Sequence, residues 1–345
     1  MDVLLTGGSG FVGAHTVRAL VDDGHRVRLL VRDASRVAPA LEPLGLDPAT
    51  LEVVVGDVTD RAAVRAGLDG VDSVVHAAAV FSVDARHREV MRSTNAAAAE
   101  AVLTQAVEAG ADPVVHVSSI VSLLRSGGGR IDNRSPMGDL GGAYNDSKRA
   151  SDVVARGLQA AGAPVHRVHP GAMLGPHDPH LGTTDRILRD VLRGRYPTWP
   201  KGRMGYGDVR DAAATIAAVV QRRGSAPSAW VCPTHTITGQ EYYGALGHVT
   251  GRRVRGLFLP TPLMSPLLAA TGALIRLLPE NVDVPLPDYG SVQLYHPDNE
   301  IDDAETVRVL DVPRRPLDQT LVDTIRWLVA SGHLRASRAG RLATG

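Results

Sequence analysis

Tyr144 and Lys148, in the run Tyr144-Asn145-Asp146-Ser147-Lys148, are the residues of this chain best suited to chemistry. Residues four apart share one face of a helix. A free phenol titrates near ~10, too high to trade a proton readily at neutral pH. A neighbouring ammonium stabilises the phenolate and lowers that value. The pair can therefore exchange a proton with the oxygen of a carbonyl or carbinol. Lys148 also stands out by rarity: it and Lys201 are the only lysines, and every other basic residue is arginine. A serine pair, Ser118-Ser119, ends an apolar run 25 residues before Tyr144, counted from Ser119. A serine there can hydrogen-bond and orient the reacting oxygen. Spacing alone does not fix which of the two faces the site.

A second constellation suits a dinucleotide. Thr6-Gly7-Gly8-Ser9-Gly10-Phe11-Val12-Gly13 follows an apolar run and precedes a helical pattern. Glycines there permit a tight turn, close approach to a pyrophosphate and close packing of helix on strand. The helix N-terminus offers free N–H groups to the phosphates. Arg32, after the second apolar run, can clamp a 2′-phosphate, which favours NADP(H), while the adjacent Asp33 keeps NAD(H) open. Asp57, in Gly56-Asp57-Val58, is placed to meet an adenine amine, and the small residues of His76-Ala77-Ala78-Ala79 let a cofactor lie against backbone.

These residues need a scaffold. Apolar runs at Val3–Leu5, Val27–Val31, Val53–Val55, Val71–His76, Val114–Val117 and Val165–Val168 alternate with helical patterns at Phe11–Asp22, Arg61–Leu68, Thr94–Ala109 and Ala143–Ala161. Strands separated by helices predict βαβ units and an α/β fold, a Rossmann-type doubly wound parallel sheet over residues 1–170. Ligands of such sheets bind beyond the carboxyl ends of the strands. After Gly171 the alternation breaks. Residues 171–335 read mainly as a smaller C-terminal substrate-binding region, some segments of it returning to the core, with helices near Val209–Gln221 and Thr320–Ala330 and a strand at Trp230–Val231. Residues 336–345 read as a mobile tail.

Composition narrows the function. The 37 basic and 37 acidic residues cancel, which argues against nucleic acid as a partner. Cys232 is the sole cysteine, so no intrachain disulfide or Cys-based metal site is expected. The His177–His180 segment reads as a loop and no metal is expected there. The N-terminus lacks a secretory pattern, and cytoplasmic placement is expected. Gly256–Ile275 is uncharged over a length that could span a bilayer, but Pro260, Pro262 and Pro266 argue for a pocket-lining segment instead.

The motifs together resemble the extended short-chain dehydrogenase/reductases, within the NAD-dependent epimerase/dehydratase superfamily. The likeness is greatest to the group of dihydroflavonol reductases and 3β-hydroxysteroid dehydrogenase-like proteins. It covers most of the chain: TGGSGFVG at 6–13, GDVTD at 56–60, HAAA at 76–79, YNDSK at 144–148, HPGAMLGP at 169–176 and DVRDAAA at 208–214. The resemblance implies Ser119 as the catalytic serine, Tyr144 as acid/base, Lys148 as its partner and ribose ligand, and Asn95 as support for the proton relay. It implies that Pro170, Ala172 and Met173 touch the nicotinamide. One departure is His169, where arginine commonly precedes the proline. The expected reaction is hydride transfer between NADP(H), or NAD(H), and a small, mostly apolar ketone, aldehyde or secondary alcohol. A sugar-nucleotide epimerase with tightly bound NAD and a non-catalytic cofactor sensor stay open as alternatives, as does a homodimer. Dehydration is disfavoured, since Ile120, Val121 and Ser122 supply no carboxylate beside the serine.

Overall fold

Valine and leucine runs form a parallel sheet buried on both faces, which is why they read as continuous rather than alternating apolar segments. We describe residues 1–80, 88–260, 263–264 and 299–343 of a computed structural model. The strands in chain order begin with β1 (Asp2–Thr6), β2 (Arg26–Val31), β3 (Glu52–Val55), β4 (Ser73–His76) and β5 (Val114–Val117). Short β6 (Gly129–Ile131) precedes β7 (Val165–His169), β8 (Ala172–Leu174), β9 (Thr198–Lys201) and β10 (Arg203–Asp208). After these come β11 (Ala229–Val231), β12 (His235–Thr238), β13 (Leu257–Pro260) and β14 (Asn299–Ile301). Seven strands make the main sheet in the order β11-β7-β5-β4-β1-β2-β3, and its pairings are all parallel. This is the expected Rossmann-type α/β fold, with β11 reaching back from the C-terminal half to extend it.

The helices are α1 (Phe11–Asp22), α2 (Val37–Leu41), α3 (Arg61–Leu68), α4 (Arg88–Glu108), α5 (Ala143–Ala160), α6 (Thr183–Leu192), α7 (Val209–Val220) and α8 (Gly239–Thr250). The last three are α9 (Ala304–Leu310), α10 (Leu317–Ala330) and α11 (Ala336–Ala339). One core lies between the sheet and α1 with α7; it includes Leu5, Val17, Leu20, Ile216 and Val220. The other face packs Val64, Leu68, Val102, Leu103, Ala106 and Ala155 of α3, α4 and α5. Burying one Leu or Val side chain contributes roughly 1.5–3 kcal/mol, so each face holds its helices firmly.

The C-terminal half builds a second, smaller core. Trp199, Tyr206, Tyr242 and Tyr243 stack there, Tyr206 on Tyr242 with ring centroids 4.7 Å apart, against Leu321, Ile325 and Leu328 of α10. The three-stranded sheet β12-β10-β8 joins this core to the main one. The segment from 336, expected to be a mobile tail, is instead part of this core. It forms α11 and a further turn, and it buries Ala339 and Leu342. Most of the uncharged stretch 256–275 and of the Pro-rich segment up to residue 298 lies outside the described residues; among those described, no helix is long and apolar enough to cross a membrane.

Candidate active site

The strand order reverses between β1 and β4, and open parallel sheets bind ligands at that crevice. β1 runs out at Thr6 into the glycine turn. Gly7 has φ +81°, and a Cβ there would lie 2.7 Å from the Ala78 nitrogen. A Cβ on Gly13 would sit 2.0 Å from the Gly7 carbonyl oxygen, so only glycine lets α1 start this close to β1. The Gly10 N–H donates to the Gly7 carbonyl at 2.9 Å, and Gly10 caps α1 without a side-chain acceptor. The first N–H groups of α1, at Phe11, Val12 and Gly13, are therefore not taken by a capping side chain. This cradle fits a dinucleotide pyrophosphate.

The neighbouring strand ends carry the other expected contacts. Arg32 is exposed at the end of β2. Asp57 follows β3 and takes the N–H and hydroxyl of Thr59 at 2.8 and 2.7 Å. Those bonds, with Arg32 nearby, hold its carboxyl below the usual range. Val58 follows it. Ala77 and Ala78 follow β4, and the Ala78 N–H donates to the Thr6 hydroxyl at 3.3 Å. Thr6 also meets His76 Nδ1 at 2.8 Å, so it ties the two strands that bound the crevice. Sequence reading assigned no role to Thr6. A threonine heading the glycine turn was the available signal.

Across the crevice, α5 presents Tyr144 and Lys148. Its amphipathic pattern buries Asn145, Ser147, Lys148, Ser151, Asp152 and Ala155. Tyr144 is hydrogen-bonded to Ser119, at the end of β5. Ser119 Oγ also lies 3.3 Å from the Pro170 carbonyl oxygen, whereas Ser118 Oγ meets Ser122 Oγ. Burial pushes the Tyr144 phenol up to about 12, with Ser119 acting the other way. Burial pushes the Lys148 amine down to about 8, opposed by Asp152. Asn95 lies behind this group. Its amide donates to Ser147 Oγ at 2.6 Å and to the Val80 carbonyl at 2.9 Å, and its oxygen accepts the Val80 N–H. It therefore fastens α4 and the chain after β4 to the helix that carries the tyrosine and lysine.

These side chains open on a cavity of about 620 Å³. Of the residues expected to bind cofactor, Phe11, Val12, Ala77, Pro170, Ala172 and Met173 line it, beside Ser118, Ser119, Tyr144 and Lys148. Gly7, Gly10, Gly13, Arg32, Asp57, Val58, Ala78 and Asn95 do not; apart from Asn95, they sit along the strand ends where the crevice continues. The far wall is largely apolar, with Ile120, Val121, Leu124, Ile187, Met204 and Ile301. Arg186 and Arg203 also line the cavity. Sequence reading missed this wall, except for Ile120 and Val121, noted there only as supplying no carboxylate. The 3–4 spacing of Ile187, Leu188, Val191 and Leu192 could have revealed α6. Among the described residues, no three His, Cys, Asp or Glu side chains are grouped to share a metal ion.

Comparison with known proteins identifies the family. Residues 3–232 match the NAD dependent epimerase/dehydratase family. A Synechocystis protein with the provisional name dihydroflavonol 4-reductase is 30% identical, over 96% of this chain and 95% of its own. The 3 beta-hydroxysteroid dehydrogenase/Delta 5-->4-isomerase of Mycobacterium tuberculosis is 36% identical over 206 residues, 56% of this chain and 52% of its own. Among solved structures, a double mutant of dTDP-glucose 4,6-dehydratase from Streptomyces venezuelae, with NAD and DAU bound, superposes with a TM-score of 0.72. It is 25% identical and the match covers 97% of this chain and 99% of that one. With two thirds of its length inside the family match, this chain belongs to the NAD dependent epimerase/dehydratase family and is an oxidoreductase of the extended short-chain dehydrogenase/reductase type.

Proposed function

We propose that this enzyme reduces, or in reverse forms, a mostly apolar ketone or aldehyde, with NADP(H) preferred over NAD(H). The observation that carries the reading is the Ser119–Tyr144–Lys148 group at the mouth of a largely apolar cavity. Bound nicotinamide would supply or accept the hydride. The glycine turn with Phe11 and Val12, the small residues Ala77 and Ala78, and Pro170, Ala172 and Met173 would hold it along the crevice. Ser119 orients the substrate oxygen by hydrogen bonding. Tyr144, kept protonated by burial, donates its proton to that oxygen as it gains charge, and Lys148 stabilises the phenolate left behind. Asn95 keeps α5 in register for this. The relatives named for flavonol and steroid chemistry support an apolar substrate, as does the wall built by Ile120, Leu124, Met204 and Ile301.

The test pairs a variant with a substrate panel. Tyr144→Phe should bind NADPH as wild type does and lose at least about a hundredfold in turnover, the lower end of what general acid catalysis supplies. Retained turnover would remove Tyr144 from the role of acid. Wild type is then given NADPH or NADH with ketones, steroids, flavanonols and UDP-sugars, and oxidation of the nicotinamide is followed. Interconversion of a sugar nucleotide without net oxidation would replace this reading with epimerisation. Tight cofactor binding with no turnover on any member of the panel would point to a sensor.

A further inference from the structure

We propose that Asp152 is a positioning residue for proton transfer at Tyr144: its buried carboxylate is the counter-charge that keeps the Lys148 side chain an ammonium. The inference rests on the reading of Tyr144 as the acid. Tyr144, Lys148 and Asp152 stand four residues apart along α5, so they form one stripe running from the cavity into the interior. Asp152 is fully buried. Its Oδ2 accepts from Arg156 Nε at 2.7 Å and faces Arg167 Nη1, on β7, at 3.4 Å. Its Oδ1 has no hydrogen-bond partner among the described residues. A carboxylate with a bare oxygen in the interior is costly to keep, and it interacts strongly with any charge placed near it.

The groups packed around this stripe leave Asp152 as the acid facing the lysine. β4 contributes His76 and β5 contributes His116, whose rings stack with centroids 5.7 Å apart. β7 contributes Arg167 and His169, the latter with Nδ1 3.3 Å from the Ser119 carbonyl oxygen. α4 contributes the neutral Asn95, and its Glu89 is paired with Arg92 at the surface. Asp146, two residues before Lys148 and so turned away from it, is paired with Arg149. Burial holds His76 down to about 3 and His169 to about 4, and His116 well below its ordinary value, so none is charged at neutral pH. Burial pulls the Lys148 proton off and Asp152 holds it on. Without that carboxylate the amine would deprotonate near neutral pH, and the phenolate at Tyr144 would lose its stabilising charge.

The chain's two lysines make the test direct. Protein grown on lysine isotope-labelled at Cε gives two NMR signals, and Lys201→Arg identifies which is Lys148. In the free enzyme, Lys148 should titrate below the ordinary lysine range. Asp152→Asn should lower its midpoint by about one pH unit, a tenfold loss of proton affinity. Arg156→Gln, which frees Asp152 of one competing cation at the half-buried edge, should raise it. Asp152→Glu should restore the wild-type midpoint. A purely structural Asp152 would leave the midpoint in place, and that result, or shifts of the same sign in the asparagine and Arg156 variants, would overturn the proposal. If Asp152→Asn does not fold, Arg156→Gln decides: a rise supports the proposal and no change overturns it. This titration needs no turnover, so its outcome is separate from that of Tyr144→Phe.

Discussion

Asp33, the residue that would serve a ribose 2′-hydroxyl, already caps its own short helical turn. Its carboxylate takes the Ser35 N–H at 3.0 Å and the Ser35 hydroxyl at 2.6 Å. It also pairs with Arg36 at 3.4 Å. Among the described residues no carboxylate is bound to Arg32 in this way, and it stays exposed at the strand end, which is the physical basis for preferring the 2′-phosphate. A charge-assisted hydrogen bond to such a group contributes about 2 kcal/mol. Arg32→Ala should therefore weaken NADPH about thirtyfold and leave NADH within about twofold, measured by fluorescence titration of each cofactor. An equal loss for both would mean that Arg32 holds the fold and not the phosphate. At this scale the sequence was informative where a residue type is chemically irreplaceable: a tyrosine and a lysine at helical spacing, glycines where a Cβ has no room. It was silent on Leu124, Met204 and Ile301, because any apolar residue suits a pocket wall and only the fold brings them together. At His116 it shows only a histidine inside the apolar run Val114–Val117. Both of its ring nitrogens lack a partner among the described residues.

Elements with strong local periodicity were readable nearly to the residue. α1 spans Phe11–Asp22 and α3 spans Arg61–Leu68, as their patterns predict. Others depended on distant partners. β11 is three residues long and owes its place to pairing with β7. α8 carries three glycines that weaken its helical signal, yet the Thr238–Glu241 capping box and burial of Tyr242, Tyr243 and Leu246 hold it. The C-terminal tail was misjudged for a similar reason: small, basic residues suggest mobility unless something distant receives them. Here α8 does. Arg341 donates to the carbonyls of Val249 and His248 at 2.9 and 2.7 Å, satisfying the open end of that helix. Removing residues 336–345 would expose α8 and the pocket that holds Leu342. We expect a loss of about 2–4 kcal/mol, from lost apolar burial and two charge-assisted bonds, read as a lower urea midpoint. An unchanged midpoint would mean that the tail is not packed in solution.

At the scale of the whole molecule, the main sheet and the helices around it bury several histidines. His15, His76, His116, His166 and His169 are all buried. Burial lowers His15, His166 and His169 to about 4 and His76 to about 3, with His116 shifted the same way. The unfolded chain binds protons at these rings below about pH 6.5, where the folded chain does not. Their contribution to stability is therefore complete above that pH and is lost as pH falls toward 4. Asp152, held near 2 by His169 and its arginines against the cost of burial, extends the loss further into acid. Asp185 and Asp211, raised by burial, act with the opposite sign, since their folded forms hold protons more tightly. Five histidines outweigh two carboxyls. At about pH 5 each histidine costs on the order of 1–2 kcal/mol, and the sum approaches the 5–15 kcal/mol that ordinarily holds a domain together. The urea midpoint should fall steeply from pH 7 to pH 5. His116→Phe should flatten that fall, because it removes a ring whose nitrogens have no partner among the described residues and keeps its stacking with His76. A midpoint that stays level down to pH 5 would show that these histidines take up protons inside the folded protein, and the neutral interior behind Lys148 would have to be abandoned with it.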